Sequence, residues 1–372
     1  MTAQPLHAAP IVPTTGQRAM LALSCLALST LGMVHNANAQ EATYKIFNFP
    51  GSTNTQPKSI NAKGAITGTY SDAHYVIHGF LRASDGSFTT FDPPGSTYTF
   101  PASINRAGAI AGAYTDAQFV SHGFLRSPDG SFTTLDPPGS KVDPGGPGTG
   151  ASAISDTGEI TGSYEGSTNA EGRIAIRGFL RSRAGTFTTF DAVSGAPTTA
   201  PTGINAEGAI TGTYSDGQYT HGFLRARDGK LTTFDVPGPT DYPSWIGISR
   251  AGEIAGSYQD AQSVNHGFLR TGDGTFTTFD VPGAAYTYPT GINPKGEITG
   301  WCETTNGPSR GFLRALDGTF TIFDPPGSTG TDPTGINSAG AITGVVIGRN
   351  GGLHGFVRIE DKREEDQQGD KN

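Results

Sequence analysis

Cysteine is almost absent from this sequence. Its 372 residues hold only Cys25 and Cys302, and Cys25 lies inside an N-terminal apolar run. That rules out a disulfide framework and a cysteine-rich zinc site, so stability must come from packing. Charge is also scarce, at 16% of residues, and acids outnumber bases, 33 to 25. A net charge of −8 with no basic–aromatic cluster repels phosphate backbones, which excludes nucleic acid as a partner. Beyond the N-terminal segment no apolar run approaches the ~20 residues that a membrane-spanning helix needs. There is no phosphate-binding loop, no Gly-x-Ser-x-Gly elbow and no His-Glu-x-x-His helix. The sequence therefore carries no cofactor motif and no recognisable catalytic constellation.

Turn-forming residues are abundant, with 54 Gly and 25 Pro, and they recur at fixed positions between short apolar runs. This is the pattern of many strands joined by tight turns. A repeat of Gly-Ile-Asn-x-x-Gly-x-Ile-x-Gly-x-Tyr, His-Gly-Phe-Leu-Arg and Asp-Gly-x-Phe-Thr-Thr-Phe-Asp-x-Pro-Gly runs along the chain. Its marker isoleucines are Ile60, Ile104, Ile154, Ile204, Ile248, Ile292 and Ile336, spaced 44, 50, 50, 44, 44 and 44 residues apart. The two longer spacings come from insertions around residues 143–150 and 167–176.

Each repeat resolves into four strands. In the first, strand A ends in Ile60-Asn61, B spans 66–70, C spans 78–82 and D spans 88–92. A period of 40–50 residues with four strands predicts propeller blades. The last repeat supplies A, B and C and then stops, while Tyr44–Gly51 aligns with the D segment Phe88–Gly95. The expected fold is therefore an all-β, seven-bladed β-propeller over residues 40–360, closed by its own N-terminal strand; an open β-solenoid is the alternative. Closure predicts that Ile46, Phe47 and Phe49 are partly or wholly buried in the last blade.

Residues 1–39 read as a secretion signal: Arg18, the apolar run from Met20, and Ala37-Asn38-Ala39 as the small-x-small cleavage pattern. Ala22-Leu23-Ser24 before Cys25 is a poor match to a lipobox. Without residues 1–39, which contain Arg18 and no acid, 24 basic residues face 33 acidic ones. The charged tail 361–372 lacks apolar anchors and reads as disordered. The expected location is outside the cytoplasm, periplasmic or extracellular.

Gly-Ile-Asn-x-x-Gly followed by a His-Gly-Phe-Leu strand resembles the extracellular HAF repeat over about residues 44–358. The departures are Gly for Ala after the His, and Arg for an aromatic after the Leu. The resemblance implies export and a repeat fold, and it carries no catalytic residues.

His78, His122, His221, His266 and His354 open strand C in five repeats, with Arg177 and Arg310 in the other two. Zinc needs about three converging ligands, and equivalent positions on third strands do not converge. A turn at Asp85-Gly86 pairs Gly79 with Asp92 and leaves His78 beside that aspartate, so an imidazole–aspartate pair is expected in each repeat, with Arg as a substitute. The Arg82, Arg126, Arg181, Arg225, Arg270, Arg314 and Arg358 series reads as solvated strand ends with buried stems. Asp72, Asp116, Asp216 and Asp260 read as turn caps, and Cys302 as core filler in place of a tyrosine such as Tyr70. The Asp-Gly turns offer calcium too few oxygens, so no metal is expected.

What varies between repeats lies in the B–C and D–A loops, which share one face and are rich in aromatics. Trp245 aligns with Pro289, and with Tyr242, Tyr286, Tyr288 and Tyr98 it forms the candidate ligand site. Tyr and Trp beside Asp, Asn and Thr suit sugar rings. The reading favoured is an exported, non-enzymatic binding propeller for an extracellular glycan or protein. A lyase or hydrolase acting on polysaccharide and a purely structural surface protein stay open as alternatives.

Overall fold

The structure, a computed structural model, describes residues 42–141, 143–168, 174–236, 244–305 and 307–360. The expected signal segment 1–39 and tail 361–372 lie outside them. The described residues form 28 strands, and none of their helices is long and apolar enough to cross a membrane.

The first repeat sets the pattern. Strand A is Asn54–Ile60, B is Ile66–Ser71, C is Ile77–Arg82 and D is Phe88–Phe91, hydrogen-bonded in that order as an antiparallel sheet. Five four-stranded sheets follow this plan, and two further repeats join into one eight-stranded sheet through the single bridge Ile176↔Thr198. The first strand of all, Ala42–Phe47, pairs with Leu353–Glu360, where Phe47 opposes Gly355 just as Phe91 opposes Gly79.

Residues on C face packed neighbours on both sides, which explains the loss of apolar–polar alternation. Phe80 is fully buried, and the Phe91 ring lies so close over Gly79 that a β-carbon there would sit 2.5 Å from it. Glycine is required at that point by the packing of the sheet.

The Asn of Gly-Ile-Asn has two tasks that sequence reasoning left unassigned. Asn61 Oδ1 accepts the amides of Lys63 and Ala65, capping the A–B turn, while its Nδ2 donates to the carbonyl of Asn105 in the next repeat. Asn105, Asn205 and Asn293 repeat the outward bond, and Asn337 Nδ2 donates to Asn61 O at 2.9 Å. Ser155 and Ser249 keep the capping task, and no bond from either to the next repeat is present among the described residues.

Three expectations need correction. The C–D hairpin turns on three residues, because Gly86 N bonds Ala83 O and Ala83 N bonds Ser87 O, with Gly86 at φ 97°. That is a tight turn ending in a left-handed residue, and it shifts the register by one, so Gly79 opposes Phe91 and not Asp92. Second, Ile46 is 46% exposed. It occupies the outward position of Thr90, whereas Phe47 is buried and Phe49 half-buried, stacking on Tyr70 at 3.8 Å.

Third, the strand-C arginines are not solvated. Arg358 is 1% exposed, and Arg82, Arg126, Arg225 and Arg270 are also buried. Each guanidinium lies over the strand-D phenylalanine of the preceding repeat: Arg126 over Phe91, Arg225 over Phe190, Arg270 over Phe234, Arg314 over Phe279 and Arg358 over Phe323, at 4.6–5.1 Å. Arg82 lies over Phe47 at 4.7 Å, joining the first repeat to the last. A planar cation desolvated on a ring face is worth about 2 kcal/mol. The repeat ahead of Arg181 ends its strand D in Leu135 and offers no ring there.

Candidate functional site

The expected imidazole–aspartate pairs are present despite the shifted register. Nδ1 of His78, His122, His221 and His266 lies 2.6–2.8 Å from a strand-D aspartate: Asp92, Asp136, Asp235 and Asp280. Arg177 and Arg310 reach Asp191 and Asp324 in the same way, and His354 reaches Asn48.

The structure adds a second carboxylate. Asp72, Asp116, Asp216 and Asp260 cap their B–C turns through Oδ1 as expected; Asp72, for example, accepts His74 N and Val76 N. Their Oδ2 atoms face the histidine Nε2, at 3.6 Å for His78, 3.4 Å for His122 and 3.2 Å for His221 and His266. A strand-B tyrosine packs against each ring, as Tyr214 does on His221 at 4.9 Å. Burial of the His221 and His266 rings opposes the proton, but their paired aspartates outweigh it and raise both pKa values. The amides of Tyr219 and Gln218, together with His221, pull Asp216 down to about 2. With both nitrogens held against carboxylates, these imidazoles fasten the B–C loops. Among the described residues no three His, Cys, Asp or Glu are grouped to hold a metal.

Those fastened loops carry exposed aromatics. Tyr75 is 75% and Phe119 64% exposed, with φ of 64° and 62°. A left-handed backbone costs a non-glycine residue roughly 1–2 kcal/mol; Ser263 fills the same position in another repeat, while the shorter turn after Asp216 uses Gly217 at its first position instead.

Strand A residues of the repeats line two spaces that share part of their borders. A cavity of about 680 Å³ is lined by Phe100, Gly150, Ser163, Pro289 and Lys58, among others. A narrower one of about 230 Å³ is bordered by residues such as Ser59, Ser103, Gly203 and Gly291. Lys58, Ala102, Ser152, Thr202, Thr290 and Thr334 border both. Each is the residue immediately before the Gly-Ile marker pair or its equivalent, so they form the step between the wide space and the narrow one.

The candidate ligand residues separate into groups. Tyr288 stacks on Trp301 at 3.9 Å, Tyr286 lies 6.4 Å from Tyr288, and Asn265 Nδ2 donates to the Tyr288 hydroxyl. Burial raises the Tyr288 pKa, and the Glu303 charge adds to it. Tyr98 belongs to another repeat, on strand Ser96–Ile104, and shares its exposed side with Phe100. The Trp245 backbone pairs with Gly256 just as Pro289 pairs with Gly300, as the alignment expects. The Trp245 side chain and Tyr242 lie outside the described residues.

Trp301 was missed as a site residue, and Phe100, read as one of the loop-face aromatics, was left out of the candidate ligand set. The alignment gives a signal for both: Phe100 replaces Gln56 at the residue before the strand-A proline, and Trp301 replaces Thr69, its register partner. Glu165 is another, 1% exposed, at a position where other repeats carry Ser71 or Ser215. Cys302 is buried as expected, and burial pushes its thiol up to about 11, which leaves it unreactive.

No protein-family model matches the chain, and no curated protein matches it. Solved structures do. A catalytically inactive virginiamycin B lyase from Staphylococcus aureus, solved with quinupristin, aligns at TM-score 0.53 and 14% identity over 86% of this chain and 99% of its own. A puromycin hydrolase aligns at 0.56 and 14% over 83% of this chain and 52% of its own. The β-propeller domain of the Trilobed protease from Pyrococcus furiosus aligns at 0.54 and 9% over 83% and 97%. At such identities the likeness is one of fold. The chain is an all-β protein of four-stranded sheets with β-propeller neighbours.

Proposed function

We propose that this protein is an exported, non-enzymatic binding propeller of HAF-repeat type, whose seven repeats close into a ring and whose loop face takes an extracellular glycan. Closure is supported by the pairing of Ala42–Phe47 with Leu353–Glu360, by Asn337 bonding Asn61, and by Thr334 Oγ1 donating to Pro57 O at 3.1 Å. Export rests on the N-terminal segment.

One observation carries the binding role. The wide cavity of about 680 Å³ is bordered by Phe100 and by Pro289; Tyr98, two before Phe100, and Tyr288, next to Pro289, adjoin these along the chain without lining the cavity themselves. The volume falls in the range of ~300–1,000 Å³ typical of ligand sites. Aromatic faces beside hydroxyls suit sugars, which present an apolar face and a polar rim. The strained, exposed Tyr75 and Phe119 add to this, since such strain concentrates at binding surfaces.

The histidine brackets favour binding over catalysis: both ring nitrogens face carboxylates, so neither is directed at a substrate. The lyase and hydrolase among the structural neighbours are 14% identical and lend their fold, not their chemistry.

The full chain on a glycan array should retain at least one polysaccharide class without releasing product. Phe100→Ala and Tyr288→Ala should each weaken that binding about tenfold or more, as expected of buried-on-binding aromatics. An array without hits, or variants that bind as well as the parent, would overturn the proposal.

A further inference from the structure

Lys58 has a place unlike that of any other charged side chain in the described residues. It is exposed, it borders both the wide cavity and the narrow one, and it is the one charged residue lining either. The step it belongs to carries Ala102, Ser152, Thr202, Thr290 and Thr334 in other repeats, all uncharged. In a chain of net charge −8, the floor of the wide cavity thus presents a single charge, and it is positive.

The hydroxyls around it are arranged to accept. Thr290 Oγ1 donates to Pro333 O at 2.7 Å and Thr334 Oγ1 to Pro57 O at 3.1 Å. Their protons are thereby committed to backbone carbonyls, so toward a ligand these oxygens can act only as acceptors. Phe100 supplies an apolar face, 41% exposed, on the same cavity wall. Asp332, on the adjoining strand Gly330–Ile336, is turned to Ser309, and burial raises its pKa, so it competes weakly for the ammonium.

We infer that the wide cavity takes a uronic-acid unit of an acidic polysaccharide, with its carboxylate on Lys58, its ring face on Phe100 and its hydroxyls donating to the threonine oxygens. This inference rests on the proposed glycan-binding role and names its ligand class. A neutral sugar would leave Lys58 with water alone, and a compact inorganic anion would leave Phe100 without a partner. The combination of one cation, one ring face and several acceptors fits a sugar acid.

The test is calorimetric titration of the full chain with trimers of galacturonate, mannuronate and glucuronate, each against its methyl ester, which keeps the ring and removes the charge. At least one acid should bind about tenfold tighter than its ester, the size of one hydrogen bond to a charged group, and the preference should shrink as salt rises. Lys58→Met keeps the aliphatic stem and should abolish the preference, while thermal unfolding checks that the fold is intact. Phe100→Ala should weaken acid and ester alike. Equal binding of acids and esters, or a preference that survives in Lys58→Met, would overturn the uronate assignment while leaving neutral-glycan binding standing. No binding by any trimer, with the array positive for other sugars, would also overturn the assignment alone; an empty array would remove both.

Discussion

Phe47→Ala is the sharpest perturbation of the architecture. Phe47 lies on the first strand, and its ring touches both the last repeat, whose strand D it supplies, and the first. Its ring covers Gly355 of the last repeat, sits 5.9 Å from Phe88 of the first, and carries the Arg82 guanidinium 4.7 Å from its centroid. It is 9% exposed, so truncation opens a cavity between the first strand, the last repeat and the first repeat. Phe→Ala in a core costs about 3–5 kcal/mol, and here it also strips the ring from a buried arginine. With an unfolding entropy of about 2.1 cal/mol/K per residue over roughly 320 residues, that corresponds to a fall in Tm of about 4–8 °C. Ile46→Ala is the control: the neighbouring side chain is 46% exposed and should move Tm by less than about 1 °C. Differential scanning calorimetry of the three proteins decides the matter. Equal shifts for the two variants, or a Phe47→Ala shift under about 1 °C, would refute the reasoning that the N-terminal strand holds the last repeat to the first.

His122→Ala removes the bracket between Asp116 and Asp136 and strands a partly buried carboxylate, so it should destabilise by about 1–3 kcal/mol. His122→Arg should restore most of that in denaturant unfolding, because Arg177 and Arg310 already serve this position; an arginine variant as weak as the alanine one would contradict the pairing. The raised pKa values of His221 and His266 should give a stability present in full below about pH 6.5, the unfolded histidine value, and lost as pH rises through the higher folded values. Asp216 should contribute above its unfolded value of 3.8 and lose that contribution as pH falls toward about 2. Tm should therefore decline on both sides of a window near pH 4–6.5. The alkaline decline should flatten in a His221→Arg, His266→Arg double variant; an unchanged slope between pH 6 and 8.5 would refute the linkage.

Strand content and order were legible in the sequence because the repeat samples each position seven times. A turn glycine or an apolar strand position that recurs in every copy is hard to mistake. The pairing of Tyr44–Phe47 with the last repeat was legible for the same reason. Register was less so, since Asp85-Gly86 is compatible with a two- or a three-residue turn, and only the left-handed Gly86 of the three-residue form gives the observed pairing. The arginines were misread because a strand-end cation that stays in water and one that lies on a neighbouring ring have the same local sequence. Arg82 meets Phe47, and Arg126 meets Phe91, only through packing between repeats. The second carboxylate on each histidine was hidden likewise: Asp72 was recognisable as a cap by its spacing, but its Oδ2 reaches His78 only after the B–C loop folds back.

The candidate site follows from comparing two adjacent positions on strand A. The first is Thr55, Thr99, Thr149, Thr199, Thr287 or Thr331, buried to within 1% wherever it occurs. Its hydroxyl serves the scaffold: Thr55, Thr199 and Thr287 accept an amide from the preceding D–A loop, and Thr99 donates to Asp92. The next residue is Gln56, Phe100, Gly150, Ala200, Ser244, Tyr288 or Asp332, no two alike. The register is shared from repeat to repeat, so the fold accepts seven different side chains at the second position while six of the seven repeats keep threonine at the first. A position that the fold leaves free, beside one that it fixes, is where a repeat protein can differ from copy to copy without loss of stability. Phe100 and Gly150 at this free position line the wide cavity, and Lys58, two residues after Gln56, stands at its floor. Two of the differing copies and the one lysine of the step thus border the same space, which is why the proposed site is placed there.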